Sequence, residues 1–104
     1  MREASSDGYV AECFWTGVKS RDLAELDERA GASAAKVSAD GKRVRYLGSM
    51  LMRQDEVVLC FFEGTEEGVR LAAEEARIPF ERIVETTGSA WSSSAPRKSR
   101  RGSR

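Results

Sequence analysis

The run "VVLCFF" at residues 57–62 is apolar at every position. Successive side chains of a strand point to opposite sides, so a strand with one wet face alternates apolar and polar residues. This run does not alternate, and both of its faces require cover. The stretch before it, "RVRYLGSMLM" at 43–52, reads as a neighbouring strand. Gln54 and Asp55 mark the tip of the hairpin between them, and the second of the two strands spans 56–63. Gly48 is a bulge candidate that obscures which face its neighbours occupy.

The other elements follow from periodicity and caps. "YVAECFW" at 9–15 is rich in aromatic and β-favouring types and reads as the first strand. Ser20 is a candidate N-cap with Asp22 behind it. Leu23, Leu26, Ala30, Ala34 and Val37 then recur at helical spacings as far as about Ala39, where "ADGK" ends the pattern. Thr65 caps a second helix with Glu66 and Glu67 in its first turn and Val69, Ala72, Ala73 and Ala76 on its buried side; Pro79 stops it. "ERIVETT" at 81–87 is the last strand.

The order is β-α-β-β-α-β, the split βαβ of an α+β, ferredoxin-like domain. Its four-stranded antiparallel sheet places the first and third strands centrally and both helices on one face. The domain occupies 9–87, between a flexible N-terminus at 1–8 and a Ser/Arg-rich basic tail at 88–104 that reads as disordered. Helices cover one face only. The expectation is a homodimer packed sheet to sheet, with Phe14, Val58 or Phe62 near the interface, because burying one such side chain stabilises by about 1.5–3 kcal/mol.

Composition narrows the chemistry. The 104 residues suit one domain, and no apolar run approaches the roughly 18 residues of a spanning helix. The polar start "MREASSDG" lacks the apolar stretch of a secretory signal, so the expected location is the cytoplasm, with reduced thiols. The formal net charge is zero, yet from Ala90 onward there are five bases and no acid, which leaves an acidic body. Such a tail without interleaved aromatics gives weak, salt-sensitive contact with nucleic acid and no more. Histidine is absent altogether, which removes the commonest general base and metal ligand.

"RYLGSMLMRQDEVVLCFFEG", with "ECFWTGV" before the first helix and "ARIPFERIVE" after the second, resembles a small family of ferredoxin-like domains of unknown function, some of them nickel-responsive or nickel-binding. The likeness runs from about Tyr9 to Thr87. It implies a ferredoxin-like fold assembled through the sheet, and it implies no reaction. Its motif positions fall on Glu12, Tyr46, Ser49 and Cys60. Thr16 stands where many relatives have proline, and Gly48 where some have histidine; nickel is therefore implied as a cofactor by the resemblance alone, without its imidazole.

The candidate ligand-lining residues are Glu12, Phe14, Tyr46, Ser49 and Cys60; no catalytic group and no metal ligand is assigned. Glu12 interrupts an apolar central strand, where an ionised carboxylate is costly unless paired or wet. It lines a cavity, pairs with an arginine across the dimer, or faces solvent at the rim. Cys60 approaches Glu12 if the two share the open face, which would give a thiolate–carboxylate pair for a transition metal; packing as a small hydrophobe is the plainer reading. The phase of Cys13 points to the helices. Met50 and Met52 read as packing, and "GTEEG" carries acids that repel phosphate.

The functional reading is a non-enzymatic binding protein for a small ligand or a metal ion, with its pocket between helices and sheet or between subunits. The alternatives are a cofactor-independent dimeric α/β-barrel enzyme using Glu12 as base, of the oxygenase or isomerase kind, and a purely structural assembly module.

Overall fold

The structure, a computed structural model, describes residues 8–87. The basic tail and residues 1–7 of the expected flexible N-terminus lie outside those residues; Gly8, expected with them, is instead the first residue of the sheet. Strand β1 is Gly8–Phe14, helix α1 Ser20–Ala39, β2 Val44–Met52, β3 Val57–Gly64, α2 Glu66–Glu75 and β4 Arg82–Thr86. The four strands form one antiparallel sheet in the order β2-β3-β1-β4, the ferredoxin-like arrangement. No helix of the described residues is long and apolar enough to cross a membrane.

The helix-facing side of the sheet is the core. Ala11 and Cys13 of β1 and Val58, Cys60 and Phe62 of β3 are fully buried with Leu26 and Ala30 of α1 and Val69, Ala72 and Ala73 of α2. Alanine dominates where the helices meet, so their backbones approach closely. The one buried polar side chain in that seam, Ser33, donates its hydroxyl to the Ala72 carbonyl at 2.6 Å.

β3 alternates strictly in burial although it does not alternate in hydropathy: Val58, Cys60 and Phe62 are buried, and Val57, Leu59 and Phe61 are half-buried. The second set shares the open face with Phe14, Met50 and Met52, which are 62%, 53% and 42% exposed. This corrects the expected interface. Val58 and Phe62 lie under the helices, and of the three residues proposed only Phe14 is on the open face. The sequence run was apolar on both sides, so it could not say which phase met the helices.

The caps differ in detail from expectation. Lys19, not Ser20, is the N-cap of α1, and the Asp22 carboxylate accepts from the Lys19 N–H at 2.8 Å. Thr65 caps α2 as expected, its Oγ1 accepting from the Gly68 N–H at 3.0 Å. α2 ends ahead of Pro79: Arg77 turns into the left-handed region at φ 59°, and the Ile78 N–H returns to the Ala73 carbonyl at 3.0 Å. That is a Schellman-type stop.

The glycines of "GTEEG" serve a close approach and not a phosphate. The Arg43 carbonyl accepts from the Thr65 N–H at 3.0 Å and lies where a Cβ on Gly64 or Gly68 would stand. Gly64 also has φ 139°.

Candidate functional site

The polar residues of β2 and the side chain they meet are brought together by a bulge. Tyr46 pairs with Phe62 and Gly48 with Phe61, so Leu47 is the extra residue and Gly48 takes φ 134°. In an unbroken strand, residues 46 and 49 would face opposite sides. The inserted residue turns Ser49 back to the helix side, where it pairs with Cys60. Tyr46 and Ser49 therefore both point at α1.

Asp27 of α1 receives them. Its Oδ1 accepts from the Tyr46 hydroxyl at 2.5 Å and from the Ser49 hydroxyl at 2.7 Å. The Tyr46 ring packs edge-on to Phe62 with centroids 5.0 Å apart. Burial, together with the bond to Asp27, pushes the Tyr46 phenol well above its ordinary range, so it is a neutral donor at physiological pH.

Behind Tyr46 lie the two thiols. Cys13 and Cys60 are free, fully buried and carried on adjacent strands, each within the other's electrostatic reach. The neighbouring Cys13 and then burial push the Cys60 thiol far up, while the Tyr46 hydroxyl pulls the other way. Cys13 is shifted down, because its thiolate would accept the Cys60 S–H, against burial and the charge of Glu81. Neither thiol is exposed to act as a nucleophile.

Tyr46 also lines a groove of about 280 Å³ between α1 and β2, with Gly31, Ala34, Ala35, Ser38, Val44 and Arg45. Asp27 is outside that lining, one helical turn before Gly31, and is tied to the groove through its bond with Tyr46.

Three of the five residues singled out in the sequence, Tyr46, Ser49 and Cys60, thus belong to one cluster. Glu12 and Phe14 do not. β1 pairs Ala11 with Cys60 and Glu12 with Leu59, so Glu12 and Cys60 face opposite sides of the sheet. The thiolate–carboxylate pair for a metal is therefore corrected: a whole sheet separates the two groups. Glu12 accepts instead from Arg82 Nε at 2.8 Å, its cross-strand neighbour on β4; the partner is an arginine as weighed, but of the same chain and not of a second subunit. Among the described residues no three His, Cys, Asp or Glu side chains gather to hold a metal ion, so the residues do not fit a bound nickel.

Asp27 was missed in the sequence. It lies on the helix that supplies Leu26 and Ala30, and a charged residue at a half-buried position is indistinguishable there from one on the solvated face. Only its spacing, one residue past Leu26 and four before Gly31, hinted at a boundary position.

No family model and no curated protein matches the sequence. Among solved structures the chain is similar to the SCO4226 protein of Streptomyces coelicolor A3(2), at 20% identity and a TM-score of 0.56, over 76% of this chain and 94% of that one. At that identity the likeness shows the shared fold, a small α+β domain.

Proposed function

We propose that the protein is a small-ligand binding protein whose site is the α1–β2 groove. The observation that carries this reading is the single oxygen of Asp27 that takes both hydroxyls, from Tyr46 and Ser49. No hydrogen bond to Oδ2 is formed among the described residues, so this carboxylate has an oxygen open to a further donor, beside a groove that Tyr46 shares with Gly31, Ala34, Ala35, Ser38, Val44 and Arg45. A carboxylate oriented in this way suits a donor group on an apolar body, such as a small organic amine. The metal-responsive variant of the reading is weaker, because the thiol and carboxylates are not gathered. Glu12 would serve as a base only after Arg82 left it, on the sheet face that a second copy of the chain would enclose.

The test is an amide-resolved NMR titration with hexylamine and phenethylamine. Saturable shifts at Gly31, Ala35, Tyr46 and Ser49, lost in Asp27→Asn, support the site. Shifts spread evenly over the acidic surface, or unchanged in Asp27→Asn, overturn it.

A further inference from the structure

A second groove, of about 430 Å³, runs between α1 and the end of α2. Arg29, Ser33 and Lys36 line it from α1, and Glu75, Ala76 and Arg77 from α2 and its cap. It concentrates three cations around one acid on a body that is otherwise acidic.

Three features distinguish it from a random patch of surface lysines. Arg29 is anchored: its Nε donates to the Ala76 carbonyl at 3.0 Å, which fixes the plane of the guanidinium. Its two terminal nitrogens have no hydrogen-bond or ion-pair partner among the described residues. Arg77 holds φ 59°, a conformation that glycine adopts freely and other residues at a cost, so the helix stop carries a guanidinium where none is needed for the turn. Its charge likewise has no partner among the described residues. The helix end itself is neutralised, because Ser33 and Arg29 donate to the Ala72 and Ala76 carbonyls. The negative end of α2 is thereby blunted toward an incoming anion.

We infer that this groove binds a phosphate monoester, with its phosphate between the Arg29 and Arg77 forks and its organic part against Ala76 and the α1 seam. Two planar guanidinium groups match the oxygens of a tetrahedral dianion. The charge count selects a dianion over a carboxylate: Lys36 is held by Glu75 at 2.9 Å, and the ligand has to draw that ammonium away. A monoanion offers Lys36 no more than Glu75 already does.

The experiment titrates phenyl phosphate into the full ¹⁵N-labelled chain at low ionic strength, where surface charges are least screened. Saturable shifts are expected at Ser33, Ala76 and Arg77. Arg77→Gly suits the backbone at φ 59°, so its thermal midpoint should hold or rise while affinity falls about fivefold or more. Arg29→Lys keeps the charge and loses the fork, and should weaken binding as well. Equal affinity in both variants overturns the proposal. So does binding of inorganic phosphate as tightly as phenyl phosphate, which is the mark of an adventitious ion only.

Discussion

Tyr46 donates its hydroxyl to Asp27 Oδ1 at 2.5 Å, tying the bulged edge strand β2 to helix α1. The bond is charge-assisted and half-buried. Hydrogen bonds to charged groups contribute about 1.5–3 kcal/mol, and the bond from Ser49 remains when this one is lost. Tyr46→Phe is therefore expected to destabilise by about 1–2 kcal/mol in urea unfolding, with an unchanged denaturant slope. A change within about 0.3 kcal/mol would show that the contact contributes nothing to the fold.

The same bond sets a pH response. The folded-state phenol is raised above its unfolded value, because burial and Asp27 disfavour the tyrosinate. Its stabilising contribution is complete below the unfolded pKa of about 10 and is lost as pH rises from there toward the folded value. Tyrosinate absorbance in a Tyr9→Phe variant should therefore appear only together with unfolding. A smooth rise near pH 10 in the folded protein would contradict the buried geometry.

Two glycines should respond for different reasons. At Gly48 a Cβ meets nothing within 4 Å, yet φ is 134°, so Gly48→Ala is expected to cost about 1–3 kcal/mol through backbone strain alone. At Gly64 the Cβ also collides with the Arg43 carbonyl, and the backbone there belongs to the α2 cap. Gly64→Ala should be the more damaging of the two. The reverse order in chemical denaturation would mean that the β2 bulge, and not the close approach at Gly64, is the tighter constraint.

The thiols should be silent until the protein opens. Cys13 and Cys60 are both fully buried, and Cys60 is pushed up by its partner and by burial. Mass spectrometry after iodoacetamide at pH 8 is expected to show no alkylation in native buffer and two adducts in urea. Prompt native labelling at Cys60 would mean that the α1–β2 groove admits solvent to it.

The open sheet face is expected to be covered by a second copy of the chain, with Phe14, Met50 and Met52 at the contact. Light scattering should then give twice 11.5 kDa at micromolar concentration, and Phe14→Glu should return the monomer mass. A concentration-independent monomer in the unsubstituted chain would remove this reading.

Much of this architecture was legible in the residues. The element order, the hairpin at Gln54 and Asp55, and the Thr65 cap are local patterns, and local physics decides them. Cys13 showed its helix-side phase for the same reason. The site was legible in part: Tyr46, Ser49 and Cys60 stood out as polar or reactive groups within strands.

What united those three was not in the sequence. An apolar run that fits both faces carries no information about its own phase, so the register that sends Cys60 under the helices and Glu12 to Arg82 had to come from strand pairing. The bulge at Leu47 sets the facing of Ser49 through one inserted residue, because the side-chain period is two and any odd shift reverses it. Asp27 belongs to the cluster only because α1 lies across β2. Sequence by itself determined which segments are strands and helices, since that depends on neighbours along the chain; tertiary structure decided which polar groups meet, since that depends on neighbours in space.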